Sequence, residues 1–171
     1  MKKQYFLYIL LVFAAFLWTT TVRAEYVLPY PGSMPGSKFY LLSRIADSLK
    51  RYWYWGSIAS LQYHLQLSDK YLVEAKTLFE YQQYVLAVDA LTRSNEQFTV
   101  LPGLLHEIEK EGKNVSKLRQ KISEASEKHL KTLDGIQTEV PAQYVWKPEK
   151  LEPVFLDFTK IFFEAKQKRI L

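Results

Sequence analysis

The stretch YVLAVDALTRSNEQFTVLPGLLHEI, residues 84–108, decides the fold class. Apolar and small residues recur along it in alternating steps of three and four, at Tyr84, Ala87, Leu91, Ser94, Phe98, Leu101, Leu105 and Ile108. This heptad spacing is typical of a helix that packs along one seam against another helix. Pro102 and Gly103 interrupt the stretch without changing its phase, so we expect one kinked helix rather than two unrelated ones.

The same periodicity resumes after a turn at residues 111–114. It predicts a helix over about residues 115–137, whose seam residues are Leu118, Ile122, Ala125, His129, Leu133 and Ile136. Because a short turn joins two helices with matching seams, we predict a long antiparallel hairpin over about residues 83–137.

Three further amphipathic segments flank this hairpin. The first covers about residues 38–54, and its apolar stripe is Phe39, Leu42, Ile45, Leu49 and Trp53. The second begins after Gly56, with Ser57 as its predicted cap, and continues to about residue 81. The third covers about residues 149–168, after a predicted loop at 138–148, with Leu151, Phe155, Phe158, Phe162 and Ala165 on one face. No segment alternates in period two over a sustained run, as a half-buried strand would. The predicted fold is therefore all-α: an elongated helical bundle of antiparallel hairpins, one domain over residues 38–171.

Residues 25–37 read differently from the helical region. Pro29, Pro31 and Pro35 impose extended or turn geometry on the residues before them. Ser37 is placed to cap the first helix. We expect an ordered, extended N-terminal arm that packs on the bundle.

Two stretches resemble a bacterial family of extracytoplasmic helical domains of unknown function. The first matches the family leader LPYPG-x-x-P-x-S-x-x-Y, at Leu28, Pro29, Tyr30, Pro31, Gly32, Pro35, Ser37 and Tyr40. The second comprises EGKNVSKL, residues 111–118, and KHLKTLDGIQTEVP, residues 128–141, which are similar to the family's hairpin turn and closing helix. This chain has Gly36 where an acidic residue is usual. The resemblance spans roughly residues 26–142, and it implies a location and a shape but no chemistry.

The first 24 residues predict export. MKK is a short basic region, the run from Tyr5 to Trp18 is apolar throughout, and Val22 and Ala24 are small residues placed as a signal peptidase requires. We predict a signal peptide over residues 1–24 and a mature chain that begins at Glu25. The alternative is an uncleaved signal anchor, since the apolar stretch through Val22 reaches the lower edge for a membrane span. The protein is thus expected to cross the cytoplasmic membrane and to be secreted or tethered at its outer face.

Charge and cysteine content exclude several function classes. Without residues 1–24 the formal charge falls from +5 to +2, so the basic balance does not indicate nucleic-acid binding. The chain contains no cysteine. A disulfide framework, a cysteine nucleophile, a thiolate metal site and a lipoprotein anchor are therefore excluded.

The remaining residues do not form a recognisable catalytic pattern. His64, His106 and His129 are not spaced as metal ligands on one helix face. We expect His64 and His106 on the surface and His129 half-buried and hydrogen-bonded. Nucleophile-elbow and phosphate-loop motifs are also missing from the sequence. We predict neither catalysis nor a cofactor nor a metal site.

The aromatic segment Tyr52, Trp53, Tyr54 and Trp55 is the candidate interaction surface. Four consecutive helical residues cover more than one turn, so they cannot all face one core. The interpretation we adopt is that they close the end of the bundle against Tyr26, Tyr30 or Phe39. The alternatives are a membrane-interface belt, with Lys50 and Arg51 on lipid headgroups, and a stacking platform for a glycan or peptide.

These observations predict an exported, non-catalytic helical domain that serves protein–protein contact or a structural role in the cell envelope. Its protein partner is unknown, and membrane contact is expected only through the N-terminal segment, if that segment is retained. The alternative is an extracytoplasmic module that binds a glycan or peptide with Tyr52–Trp55.

Overall fold

A computed structural model describes residues 25–150 and 152–170. The predicted signal segment, residues 1–24, lies outside the described residues, and so do Leu151 and Leu171. Within the described ranges, no helix is both long enough and apolar enough to cross a membrane.

The described chain is predominantly helical, which confirms the all-α fold class. A single 3₁₀ turn, Arg51–Trp53, follows the first helix. The elements in chain order are α1 (Tyr40–Lys50), α2 (Ser57–Glu80), α3 (Tyr84–Thr99), α4 (Leu101–Lys110), α5 (Ser116–Glu139), β1 (Gln143–Trp146), β2 (Val154–Asp157) and α6 (Phe158–Gln167).

Helix α2 is the centre of the bundle. It lies against α3 along most of its length, and α4 and α5 also pack on it. Small residues on the facing side of α3, Ala87, Ala90 and Ser94, are completely buried and allow the two backbones to come close. The hydroxyl of Ser94 donates to the carbonyl of Ser68 at 2.8 Å, and the hydroxyl of Ser68 donates back to the carbonyl of Ser94 at 3.0 Å. These reciprocal bonds hold α2 and α3 in one register.

The described residues form three hydrophobic clusters, and the two larger ones fill the bundle. One joins α2 and α3 to α5 and α6, where Phe79, Phe158 and Phe162 pack against one another with ring centroids 5.3 to 6.4 Å apart. The other joins α2 to the seam that continues from α3 into α4, including Phe98, Leu101 and Ile108.

The seam does cross the proline, as predicted. Helix α3 ends at Thr99 and α4 begins at Leu101, with Val100 still in the helical region at φ −81° and ψ −15°. The amide of Leu104 donates to the carbonyl of Val100 at 3.1 Å. Pro102 lies in the first turn of α4. Backbone amides there have no carbonyl partner within the helix, so the missing N–H of proline costs no hydrogen bond.

The predicted pairing within the long hairpin needs correction. Helices α4 and α5 do follow each other around the turn at residues 111–115, but α3 takes α2 as its main partner, and α5 lies against α2 and α6. A heptad seam reports which face of a helix is buried, and it does not identify the helix that covers that face.

The C-terminal region contains a hairpin that the sequence did not predict. Strands β1 and β2 are antiparallel, and Gln143 pairs with Asp157 at one end and Trp146 with Val154 at the other. The last helix therefore begins at Phe158 rather than near residue 149, and the carboxylate of Asp157 caps it by accepting from the amide of Lys160 at 3.1 Å. Phe155, assigned to the helix stripe, is exposed on β2.

The N-terminal arm is extended and lies on the bundle. The Tyr26 hydroxyl donates to Asp69 on α2 at 2.5 Å, and Leu28 and Met34 pack against the larger hydrophobic cluster. Neither predicted serine cap is formed in the expected way. The residues before α1 and α2 are Phe39 and Gly56, and the Ser57 hydroxyl instead donates to Glu111 at 2.8 Å.

Candidate interaction surface

Helix α1 packs on the bundle through its polar side. Asp47 is the only buried residue of α1. The ammonium of Lys70 on α2 binds the Asp47 carboxylate and also donates to the Ser43 hydroxyl at 3.1 Å. The hydroxyl of Tyr63 on α2 donates to the Asp47 carbonyl at 2.8 Å. Because a buried carboxylate is costly unless it is paired, this contact determines which side of α1 faces inward.

A second set of polar contacts holds the start of α1. The Tyr40 hydroxyl donates to the carboxylate of buried Glu74 at 2.7 Å and accepts from Arg93 on α3 at 2.9 Å. Burial raises the pKa of Tyr40, so its hydroxyl stays protonated at neutral pH and can keep donating. The guanidinium of Arg93 also lies 5.2 Å from the ring centroid of Tyr71. Tyr40, Ser43 and Asp47 are three and four residues apart, which places them on one side of the helix.

The opposite side of α1 is apolar and faces solvent. Leu41, Leu42, Ile45 and Leu49 are 71%, 62%, 53% and 53% exposed, and Phe39 just before the helix is also exposed. We call these residues, together with Ala46, the α1 face. The sequence predicts the apolar stripe correctly, but the implied burial of that stripe is wrong. A stripe shows that a helix is amphipathic, and here the ion pair and tyrosine contacts on the polar side direct the apolar side outward.

The aromatic segment continues the exposed surface. Tyr52, Trp53 and Trp55 are 76%, 82% and 86% exposed. Tyr54 alone turns inward, where its ring lies 5.3 Å from Tyr63 and its hydroxyl donates to Gln66 at 3.2 Å. The indole N–H of Trp55 donates to the carbonyl of Tyr52, which folds the segment back on itself after the 3₁₀ turn.

The interpretation that these aromatics close the end of the bundle is therefore not what the structure shows. Of the three residues expected against them, Tyr26 lies on Asp69, Tyr30 is almost fully exposed on the arm, and Phe39 is exposed at the other end of α1. Tyr52, Trp53 and Trp55 instead follow α1 directly in the chain and are exposed, as the α1 face is.

The leader residues have separate structural positions. Leu28 packs on the core, Tyr40 joins the polar contacts of α1, and the Ser37 hydroxyl accepts from the amide of Phe39 at 3.4 Å. Gly32 comes close to the Lys70 side chain, and Gly36 has a positive φ of 94°. Pro35 and Gly36 lie in a turn that the Ser37 amide closes by donating to the Met34 carbonyl at 3.0 Å, and no single site collects all eight positions.

A buried polar network occupies the middle of the bundle. His129 on α5, expected to be half-buried, is completely buried, and its Nε2 lies 2.7 Å from the carboxylate of Asp69. Arg169, which follows α6, is also completely buried and donates from Nε to the His129 Nδ1 at 3.1 Å. The same guanidinium donates to Asn95 at 2.5 Å and to Ser94 at 2.9 Å.

Hydrogen bonding defines the charge states of this network. Because Arg169 can only donate, Nδ1 of His129 accepts, and the ring is neutral with its proton on Nε2 toward Asp69. Burial lowers the pKa of His129 and lowers that of Arg169 to about 10, which leaves the guanidinium charged at neutral pH. Burial beside Asp69 also raises the pKa of Tyr26. His129 is completely buried and Asp69 nearly so, and their contact links α2 to α5 inside the bundle.

The other histidines are as expected from the sequence. His106 is exposed, and the partly exposed His64 lies 2.8 Å from the side-chain oxygen of Gln97. Across the described part of the chain, no group of three or more histidine, aspartate or glutamate residues is arranged to hold a metal ion.

Sequence reasoning missed three contributors to the surface. Asp47 and Lys70 orient α1, and Leu41 extends the α1 face beyond the predicted stripe. The isolated aspartate in a segment with four basic residues, Lys38, Arg44, Lys50 and Arg51, was the available signal for a buried anchor.

No protein-family model matches this chain, and no curated protein or solved structure matches it either.

Proposed function

We propose that this protein is an exported, non-catalytic helical module of the cell envelope that works by contact, and that the α1 face with the aromatic segment is its contact surface. The observation that supports the proposal is the orientation of α1. A helix that exposes several leucine and isoleucine side chains on one side usually covers them with a partner in its working state.

The proposal also includes export across the membrane and the resemblance to a family of extracytoplasmic domains. The predicted signal segment and the leader's resemblance to extracytoplasmic helical domains both suggest a location outside the cytoplasmic membrane. A contact module needs no reactive groups, which agrees with the sequence-based expectation of a non-catalytic protein in contact with another envelope component.

Site-specific photocrosslinking in the producing cell tests the proposal. A photoreactive amino acid replaces Ile45 on the α1 face, and the matched control replaces Phe163, a similarly exposed residue on α6. We expect a discrete adduct, with a protein or with a lipid, at position 45 and none at position 163. Equal labelling at the two positions, or none at either, contradicts the proposal.

A second candidate function is binding of a glycan or peptide, and a cleft beside the aromatic segment favours it. Tyr52, Tyr63, His64, Tyr71 and Gln97 are among its lining residues. Aromatic faces and a polar edge are suited to a sugar ring or a peptide side chain. Of the four predicted aromatics only Tyr52 lines this cleft, and Trp53, Tyr54 and Trp55 do not.

Pull-down with immobilised glycans and peptides separates the two candidates. If the cleft is the binding site, Tyr52→Ala abolishes retention and Trp53→Ala leaves it unchanged. If retention of a glycan or peptide is equally weak for the wild type and both variants, the ligand-binding candidate is rejected.

A further inference from the structure

The α1 face has an apolar composition without directional groups. Its members are leucine, isoleucine, alanine and phenylalanine, and none of these side chains can donate or accept a hydrogen bond. A protein partner is normally selected by a mixture of apolar anchors and placed polar groups. A purely apolar helical stripe requires no matching polar groups on its partner. A fluid hydrocarbon layer, which has none, can therefore cover it.

The charges around the face are almost entirely positive. Lys38, Arg44, Lys50 and Arg51 surround it, and all four are exposed. The one acid between Gly36 and Ser57 is Asp47, which is buried on the inner side and paired with Lys70 and, at 3.4 Å, with Lys50. Among the described residues, Lys38, Arg44 and Arg51 form no ion pair. The outward potential of this surface is therefore complementary to an anionic partner.

The aromatic residues are located at one end of the face. Tyr52, Trp53 and Trp55 follow α1 directly and are exposed. Tryptophan and tyrosine have an apolar body and a polar tip, and they concentrate at the boundary between lipid chains and headgroups. An amphipathic helix with basic residues, an apolar side and terminal tryptophans is the arrangement found in helices that lie flat in a membrane interface.

We propose that α1 lies in the plane of an anionic lipid bilayer, with the α1 face among the upper acyl chains and Lys38, Lys50 and their arginine neighbours on the lipid phosphates. This inference rests on the proposed contact function and identifies the partner of the same surface. The ion pair of Asp47 with Lys70 and the bonds of Tyr40 hold the bundle on the far side of the helix, away from the lipid.

Depth-sensitive labelling tests the immersion of the face. Because the chain has no cysteine, a single Ile45→Cys substitution carries one environment-sensitive dye on the full-length protein. Phe163→Cys is the control at a similarly exposed position. Vesicles of phosphatidylglycerol with phosphatidylcholine are compared with phosphatidylcholine alone. In vesicles that contain phosphatidylglycerol, we expect the emission of the dye at position 45 to shift to the blue and to be quenched by acyl-chain nitroxides. In vesicles of phosphatidylcholine alone, we expect neither change. The dye at position 163 should remain in water.

A charge variant tests the role of the unpaired basic residues. Each basic residue near an anionic surface contributes about 1 kcal/mol, so Lys38→Gln with Arg51→Gln should shift the equilibrium of the position-45 dye by roughly 30-fold toward water. Lys117→Gln with Lys121→Gln removes the same charge from exposed positions near the start of α5 and should have no such effect. Equal effects of the two pairs contradict the proposal.

The outcomes also distinguish the inference from the function on which it rests. A dye at position 45 that stays in water with both vesicle types, while the cellular photocrosslink at Ile45 goes to a protein, overturns the lipid inference and leaves the contact function in place. A blue shift that depends on protein concentration without vesicles identifies a second copy of the chain and also overturns it. No immersion and no crosslink reject both.

Discussion

At the residue scale, the buried chain of Asp69, His129 and Arg169 explains how distant segments are joined. It connects α2, α5 and the end of the chain, and through Asn95 and Ser94 it reaches α3. The sequence placed His129 on a helix seam but gave no sign of its partners, because they are 60 and 40 residues away. Periodicity locates a residue on a face, and only the tertiary fold determines which polar groups meet there.

The stability of the protein should depend on pH through His129. Burial holds the folded pKa below the ordinary value of 6.5. As the pH falls below about 6.5 toward the folded pKa, the unfolded chain binds a proton that the folded chain does not. The free energy of unfolding should therefore fall by up to about 1.4 kcal/mol per pH unit in that window, and this contribution should be complete above it.

Denaturant unfolding at a series of pH values between 5 and 8 measures this slope. His129→Gln, which cannot titrate, should flatten it relative to the wild type. His106→Gln removes an exposed histidine and should leave it unchanged. Equal slopes in the wild type and in His129→Gln contradict the assignment.

Removing the guanidinium of Arg169 should lower the free energy of unfolding far more than removing the charge of its neighbour Lys168. Arg169→Leu leaves the carboxylate of Asp69 without its nearby cation and the side-chain oxygen of Asn95 without a donor, which should lower the free energy of unfolding by about 3–5 kcal/mol. The adjacent Lys168→Ala, at an exposed position, should change it by less than about 0.5 kcal/mol. Thermal or urea unfolding compares the two, and similar values would show that the network contributes little.

At the element scale, the helices were predictable and the strands were not. The seam residues from Tyr84 to Ile108 and from Leu118 to Ile136 predict their helices to within a few residues, because three- and four-residue spacing over many turns is a strong signal. Strands β1 and β2 have four residues each and lack a sustained alternation, so their pattern cannot be told from a loop or a helix start. Tyr144 of β1 packs against Tyr84 of α3 at 4.7 Å between ring centroids, a tertiary contact that periodicity does not reveal.

The close approach of α2 and α3 should be intolerant of larger side chains. Ala90 is completely buried between the helices, so Ala90→Leu should lower the free energy of unfolding by about 1–3 kcal/mol through overpacking. Glu96→Leu places the same side chain on the exposed side of α3 and should be nearly neutral. Circular dichroism during urea unfolding measures both. A neutral Ala90→Leu would indicate that the helices are further apart than described.

At the scale of the whole molecule, the orientation of α1 is the feature on which the proposed function depends. The sequence predicted an amphipathic helix and an aromatic segment, and both exist. Their placement could not be predicted, because an apolar stripe is equally consistent with a core and with a partner-facing surface. The orientation of α1 is determined by the contacts of Asp47 with Lys70 and of Tyr40 with Glu74. These contacts join residues 23 and 34 positions apart in the sequence.

Equilibrium denaturation of Ile45→Ser beside Ile122→Ser tests this orientation most directly. Both variants make the same chemical change, at an exposed position on α1 and at a buried position on α5. If the α1 face is turned to solvent, Ile45→Ser changes the free energy of unfolding by less than about 0.5 kcal/mol, while Ile122→Ser lowers it by about 3 kcal/mol or more. A loss at Ile45 as large as that at Ile122 would show that the apolar side of α1 is buried, and the contact surface described above would not exist.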